Sequence, residues 1–197
     1  SLFEYLINDT WALRNTMRYS SIEFDGKTVF GGGLQEDLRS LNRFGFGNTF
    51  ELKIFTMDTN AYAHFDSGIV EHSLLFGVDY STSESKIVSG FSFAAPLDVF
   101  APVYGSSVPD LFIYGNVNQP IDQLGIYVQD QMKFASRWIA TLALRQDSTD
   151  ITTDNRLSDS QVDQSDSALT GRVALTYLAE SGLAPYFSYS TSFLPVA

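Results

Sequence analysis

The two histidines are the first side chains to test for chemistry, because the sequence contains no cysteine. His64 and His72 flank a predicted tight turn at residues 66–68. In strands, side chains alternate between faces, so His64 shares the polar side of Tyr62 and His72 shares the side of Leu74. The two imidazoles then point to opposite faces and cannot hold one metal ion together. No motif places either histidine beside a serine nucleophile and an acid, so we predict structural histidines and no enzyme active site.

Composition excludes further kinds of chemistry. The absence of cysteine excludes disulfides, thiolate nucleophiles and cysteine zinc sites. A net charge of -11 argues against nucleic acid as a partner, since phosphates need a basic surface. The stretch from Asp147 to Asp166 carries six aspartates against one arginine, but it lacks the spacing of a calcium-binding loop. We therefore predict a solvated acidic loop there.

Aromatic residues are concentrated between Ser83 and Ile121, where six of them occur with four prolines. The sequence between these limits predicts one long loop. A loop of this length is uncommon unless it folds over something. Recognition of a compact ligand is one explanation, and a loop that packs its own aromatic residues is the other.

The elements that must position these residues are β-hairpins. Residues 125–147 show the pattern: Ile126 and Val128 fall on one parity and Tyr127 and Gln129 on the other, which is a strand signal. The pattern recurs in four hairpins, which predicts eight strands and no helix. A parity slip at Ile54 and Phe55 suggests a bulge. The predicted turns lie at 8–10, 66–68, 135–137 and 179–182, and the predicted long links at about 26–50, 82–121 and 148–167.

Short turns and long links alternate strictly, as in a transmembrane β-barrel with short turns on one side and long loops on the other. Roughly 9 to 11 residues of tilted strand cross a bilayer, and these strands reach that length. A soluble β-sandwich is the alternative, but inward faces this polar would leave it without an apolar interior. The basic side chains are predicted on the parity opposite each apolar set: Arg14, Arg18, Lys53, Lys133, Arg145 and Arg172.

Several segments resemble the barrel repeats of TonB-dependent siderophore receptors, most closely the ferrichrome-type group. The segments that carry the resemblance are FEYLINDTWALRNTMRYS, VEHSLLFGVDY, GIYVQDQMKF, TLALRQD, TGRVALTYL and GLAPYFSYSTSFLP. The resemblance implies an outer-membrane barrel of twenty-two strands, occluded by an N-terminal plug, that imports ferric siderophores with energy passed through TonB. The implied fold class is all-β, an antiparallel transmembrane β-barrel section of about eight strands.

The resemblance also implies the extent of the chain and its partners. Residues 1–197 correspond to part of the barrel domain, with the plug, the TonB box and the remaining strands absent, so we expect no transport by this section alone. The implied partners are a ferric siderophore, of the hydroxamate class, the TonB complex through the plug, and outer-membrane lipid of a Gram-negative bacterium. A stand-alone structural or adhesive barrel of eight strands is an alternative from another class.

Site residues follow from the same resemblance. Aromatic side chains near the extracellular mouth contact the siderophore in ferrichrome-type receptors, and Phe30, Phe91 and Phe93 lie in segments that resemble those places. No cofactor or protein metal ligand is expected, because the iron arrives already bound by the oxygens of the siderophore. The lumenal arginines Arg145 and Arg172 are predicted to face the plug.

Overall fold

The computed structural model describes residues 1–195, and in them the chain forms one antiparallel sheet of eight strands without a helix. Each strand pairs with its neighbours in sequence, in the order β1 to β8. No helix in the described residues is long and apolar enough to cross a membrane. The strands are β1 (Leu2–Leu6), β2 (Trp11–Leu34), β3 (Ser40–Ser67), β4 (Val70–Asp98), β5 (Phe112–Phe134), β6 (Trp138–Asn155), β7 (Ser160–Tyr177) and β8 (Tyr186–Ser190).

Eight strands were predicted and eight are found, but the strands are much longer than predicted. The predicted long links are mostly paired strand, and only 35–39, 99–111 and 156–159 connect strands at that end of the sheet. The prediction of a loop from Ser83 to Ile121 is therefore wrong. The acidic stretch from Asp147 to Asp166 is likewise two strands joined by a four-residue turn.

The sheet has two faces of opposite character near the short turns. We call one the band face, and one row of directly paired neighbours across it is Leu13, Ala61, Phe76, Val128, Leu144 and Gly171. We call the other the arginine face, and the adjacent row across it is Arg14, Asn60, Gly77, Tyr127, Arg145 and Thr170.

Aromatic side chains bound the apolar part of the band face on both sides. Near the short turns, Trp138 lies between Phe134 and Tyr177, with ring centroids 6.5 and 4.7 Å away. Farther along the strands, Tyr19 pairs with Phe55, and this pair marks the other margin of the apolar band. From Trp11 to Tyr19 the strand rises about 26 Å, at roughly 3.3 Å per residue. That length matches the apolar band of a membrane barrel.

Beyond this band the two faces exchange character. We call this part of the sheet, residues 20–54, 81–123 and 148–167, the extension. A row across its band face is polar, with Glu23, Glu51, Lys86, Asn118 and Asp154. The next row, on the arginine face, is apolar, with Phe24, Phe50, Ile87 and Val117.

This exchange explains two wrong predictions about β3. Pairing is regular through Ile54 and Phe55, so there is no bulge there; the register shifts that involve β3 lie between Leu41 and Arg43 and opposite Gly31 to Leu34 of β2. Leu52 and Ile54 are apolar because they belong to the extension, and the parity itself never slips. Lys53 consequently lies on the band face, while the other basic residues predicted on the polar parity are on the arginine face.

A soluble sandwich does not fit the sheet. Ala12, Ala63 and Ile151 are the buried hydrophobic residues of the described chain, and no large side chain in it is fully buried. The strands form one sheet and not two packed sheets. Within residues 1–195 the edge strands β1 and β8 do not pair with each other, so the section does not close into an eight-stranded barrel either.

Candidate functional site

Six phenylalanines gather on the arginine face at the far end of the extension. Phe30 stands directly opposite Phe44, and Phe44 opposite Phe93. The alternation of β3 places Phe46 on the same face, and Phe91 lies opposite it. The phenylalanine cluster comprises Phe30, Phe44, Phe46, Phe91, Phe93 and Phe112.

The rings of the cluster form a continuous contact network. Phe46 lies between Phe30 and Phe91, with ring centroids 5.4 and 6.4 Å away. Phe93 lies 5.5 Å from Phe91 and 5.7 Å from Phe44. Most of these pairs are edge-to-face or tilted, the arrangement that aromatic quadrupoles prefer.

The cluster stays open despite these contacts. Phe30 is 53%, Phe93 71% and Phe112 69% exposed, values that leave most of each ring free for another molecule. Phe91, Phe93 and Phe112 line a hollow of about 510 Å³ together with Pro109 and Asp110. An open hollow of this volume with a largely aromatic lining is large enough to contact an organic ligand.

The structure brings together Phe30, Phe91 and Phe93, the residues that the sequence singled out, although it places them in β2 and β4 and not in loops. Sequence reasoning missed Phe44 and Phe46 as site residues. Their signal was present in the alternating stretch Phe44-Gly45-Phe46-Gly47, which reads as a strand with aromatic residues on one side and glycine on the other. The roles of these residues in ligand binding remain predictions.

Next to the cluster, an ion pair joins the β2–β3 connection to the end of β4. Arg39, in the β2–β3 connection, donates to Asp98 at the end of β4 with Nε–Oδ2 at 2.7 Å. Asp98 also accepts from the backbone N–H groups of Phe100 and Ala101 at 2.9 and 3.2 Å. The hydrogen bond from Arg39 and those from the two amides lower the pKa of Asp98 below its ordinary value. The carboxylate thus ties the β2–β3 connection to the start of segment 99–111.

A second polar group lies on the arginine face at the level of the band. Arg145 bonds Asp79 through two nitrogens, at 2.6 and 3.0 Å, and bonds Asp147 from Nε at 2.7 and 2.9 Å. Tyr127 donates from its hydroxyl to Asp58 at 2.8 Å, and its ring lies under the guanidinium of Arg145 at 5.7 Å. Charge-assisted bonds of this kind fix side chains more firmly than neutral ones.

Arg145 and Arg172 line one hollow of about 510 Å³ on this face, as neighbours on β6 and β7. Their positions differ in one respect. The guanidinium of Arg145 is already held by Asp79 and Asp147, whereas Arg172 is exposed and forms no ion pair with any residue from 1 to 195. Of the two, Arg172 has donors that no residue of the described chain occupies. Contact of either residue with a plug stays a prediction.

The histidines lie on opposite faces, as predicted. The Nδ1 atom of His64 is 3.0 Å from the hydroxyl of Ser73 on the arginine face. The Nδ1 atom of His72 is 2.8 Å from Asp130 on the band face, and its ring stacks on Phe65 with centroids 4.9 Å apart. In residues 1–195, no three acidic or histidine side chains are grouped to hold a metal ion.

Comparisons with known proteins agree with this architecture. A family model described as "TonB dependent receptor-like, beta-barrel" matches residues 2–197. The chain is 31% identical to the ferrioxamine B receptor of Salmonella typhimurium strain LT2, over 98% of this chain and 27% of that protein. It is 28% identical to the ferrichrome outer membrane transporter/phage receptor of Escherichia coli K12, over 98% of this chain and 29% of that protein. The chain therefore spans less than a third of the length of these relatives.

Solved structures show the same fold at lower identity. The siderophore receptor PiuA from Acinetobacter baumannii is similar with a TM-score of 0.79 and 16% identity, over 99% of this chain and 32% of that one. The ferric-catecholate import receptor Fiu from E. coli K12, in its closed form, gives 0.76 and 19%, over 96% and 31%. The predicted fold class is thereby confirmed: an all-β, antiparallel section of a larger β-barrel.

Proposed function

Because the chain belongs to the TonB-dependent receptor β-barrel family, we propose that it is a section of an outer-membrane receptor that imports ferric siderophores of the hydroxamate class. The relatives named for ferrioxamine B and ferrichrome support this ligand class. Residues 1–197 form part of the barrel domain, and the plug and the remaining strands belong to the rest of the receptor. The receptor is energised through TonB, as in the family.

The observation that carries the proposal is the phenylalanine cluster on the arginine face of the extension. This face turns apolar only beyond the band, and Phe30, Phe93 and Phe112 leave most of their ring surface open there. A ferric siderophore presents a compact organic shell, and its own oxygens saturate the iron. The site therefore needs apolar and aromatic contact around the shell and needs no protein ligand to the metal.

The band face supplies the membrane contact in this proposal. The apolar row through Leu13, Phe76 and Leu144 faces lipid, and the aromatic residues at its two margins lie at the interfaces. The arginine face then lines the lumen. Arg145 and Arg172 face the plug, and Arg172 has its donors free to bond a plug carboxylate.

Titration of the intact receptor with ferrioxamine B, ferrichrome and a ferric catecholate tests the proposal. We expect saturable binding of a hydroxamate complex and weaker binding of the catecholate. Replacing Phe93 with Ala removes an apolar contact of roughly 1.5 to 3 kcal/mol if the ligand fully buries the ring, which is about ten-fold or more in affinity.

Leu38→Ala is the matched control, since Leu38 is 71% exposed in the β2–β3 connection and no ring contact involves it. Its affinity should equal that of the unchanged receptor. An intact receptor that binds none of the ferric complexes would remove the siderophore proposal and leave only the family.

A further inference from the structure

The segment between β4 and β5 covers a row of glycines on the band face of the extension. Gly45, Gly47 and Gly90 are buried there. A Cβ at Gly45 would stand 2.6 Å from a methyl of Val108, and one at Gly90 would stand 2.9 Å from the Cβ of Leu111. Leu111 also occupies the space in which a Cβ of Gly47 would lie. The glycine row is thus a trough that Val108 and Leu111 fill.

The residue after Leu111 is on the other side of the sheet. Phe112 pairs with Phe91 on the arginine face, with ring centroids 6.3 Å apart, and the alternation of the strand sends Leu111 to the band face. The pairing of β4 with β5 shifts register between Ser89 and Gly90, beside this point. Phe112 is 69% exposed, so contacts of its own ring do little to hold it.

We infer that Phe112 is a further ligand-contacting residue and that Leu111, seated in the glycine trough outside the barrel, is the positioning residue that aims it. The inference rests on the function proposed above. Leu111 fixes the backbone at the first residue of β5, and the fixed backbone sets the direction of the Phe112 ring toward the hollow that it shares with Phe91 and Phe93. A contact on the outer surface thereby shapes the ligand site on the inner one.

Alanine substitutions at the trough glycines displace Leu111 to different degrees and do not replace any residue of the ligand site. An alanine at Gly90 would meet the Cβ of Leu111 at 2.9 Å and the carbonyl oxygen of Phe112 at 3.2 Å, and neither atom can move unless the backbone moves. An alanine at Gly47 would meet mainly a terminal methyl of Leu111, which can rotate away. The stronger displacement of Phe112 is therefore expected from Gly90→Ala.

The test is the affinity of the intact receptor for ferrioxamine B and ferrichrome. Phe112→Ala should weaken binding roughly ten-fold, the scale of one buried ring, and Gly90→Ala and Leu111→Ala should weaken it roughly three- to ten-fold. Gly115→Ala is the matched control, since Gly115 lies in β5 with Phe112 and a Cβ there would meet the Cβ of Ser89 at an ordinary 3.4 Å. Gly33→Ala, with nothing within 4 Å, is a second control. Both controls should bind as the unchanged receptor does.

A double-mutant cycle separates positioning from general damage. Gly47→Ala should weaken binding slightly in the unchanged receptor, because its Cβ displaces the Leu111 methyl. In a Leu111→Ala background it should have no further effect on affinity, because that side chain is absent. Additive losses would overturn the role of Leu111. Should Gly90→Ala fail to assemble, this cycle still tests the inference.

A spin label on a cysteine at position 112 gives a readout that does not depend on a ligand. The section has no cysteine of its own, and the label should become more mobile with Gly90→Ala or Leu111→Ala but not with Gly115→Ala. Unchanged mobility overturns the positioning role. Strong siderophore binding that Phe112→Ala leaves unaltered overturns the contact while the proposed function stands. Absence of binding by the unchanged receptor overturns the proposed function and the contact together, and the label then decides the positioning role alone.

Discussion

The two halves of the sheet share the same strands and the same alternation, yet their faces have opposite character. Near the short turns, the row from Leu13 to Leu144 is apolar and the adjacent row through Arg14 and Arg145 is polar. In the extension the corresponding rows reverse, and Phe24 and Phe50 take the side of the arginines. No register shift separates these rows of β2 and β3, so strand geometry does not produce the reversal. On the proposed function, the surroundings of each face explain it.

On the proposed function, lipid touches the band face only along the band, and apolar side chains are stabilised there. Beyond the band, water reaches the band face, so it carries Glu23, Glu51 and Lys86. The arginine face of the extension encloses the ligand, and apolar side chains gain from that enclosure. On this proposal, the height of a residue in the membrane determines which side of a barrel strand is apolar.

The largest expected effect comes from putting a charge into the band. Leu142→Arg should cost roughly 2 to 4 kcal/mol of barrel stability if the position is near the bilayer midplane, because a guanidinium is poorly solvated by lipid. Thr141→Arg, on the arginine face, should be far milder. Asp154→Arg, on the same face and strand as Leu142 but in the polar row of the extension, should also be mild, since its direct neighbours Asn118 and Gln161 are polar.

The amount of folded receptor in outer-membrane preparations, with its midpoint in a urea titration, measures all three variants. Equal losses for Leu142→Arg and Asp154→Arg would contradict the reversal of the band face. Equal losses for Leu142→Arg and Thr141→Arg would contradict the assignment of faces.

Removing two rings from the phenylalanine cluster is expected to have the next largest effect. The double variant Phe91→Ala and Phe93→Ala should lose roughly ten-fold in siderophore affinity for each ring that the ligand buries. Both residues belong to β4 and pair with Phe46 and Phe44, so each also loses a cross-strand contact of about 0.2 to 1 kcal/mol. We therefore expect both the siderophore affinity, measured by titration, and the abundance of the receptor to fall. The loss of affinity should be the larger of the two.

Replacing Arg145 or Arg172 on the arginine face should have a smaller effect that differs between the two residues. Arg145→Gln leaves Asp79 and Asp147 without their common cation, and we expect a loss of about 1 kcal/mol, since the side chain is 38% exposed and solvent screens the pairs. Arg172→Gln should leave barrel stability unchanged. Hydrogen exchange of the plug in the intact receptor tests the lumenal role: protection that survives both replacements would remove the plug contact.

The smallest expected effect is the response of the Asp98 hydrogen bonds, at the end of β4, to acidic pH. The pKa of Asp98 is lowered in the folded chain, so its hydrogen bonds to Phe100 and Ala101 persist above the ordinary aspartate value and are lost as the pH falls through the folded pKa. Exchange protection of these two amides should therefore hold from neutral pH down to about 4, given the ordinary aspartate pKa. Asp98→Asn should weaken this protection throughout that pH range, and protection in the variant equal to that of the unchanged chain there would remove Asp98 as the anchor.

Much of the sheet could be predicted from sequence because alternation is a local signal. The turn at Ala135 to Arg137 and the faces of Arg145 and Tyr127 follow from residue order alone. The extension could not be predicted in this way, because a search for one polarity along each strand fails where the polarity reverses. Leu52 and Ile54 therefore suggested a bulge, although their strand is regular there.

The candidate site could be predicted from the sequence only in part. Phe30, Phe91 and Phe93 were selected by their resemblance to a family, and pairing across three strands was needed to show that Phe44 and Phe46 join them. The Arg145 pair with Asp79 joins residues 66 positions apart. Such a contact depends on register, which a single sequence does not provide.

Protection of single cysteines by ligand tests the central claim most directly. Phe30→Cys and Phe93→Cys place a thiol on the arginine face of the extension, whereas Lys27→Cys and Lys86→Cys place one on its band face. The measurement is the rate at which a water-soluble maleimide modifies each one in the intact receptor, with and without saturating ferrioxamine B or ferrichrome. We predict that ligand slows modification at 30 and 93 and leaves 27 and 86 unchanged. Equal rates with and without bound ligand at 30 and 93, or equal protection on both faces, would contradict the account.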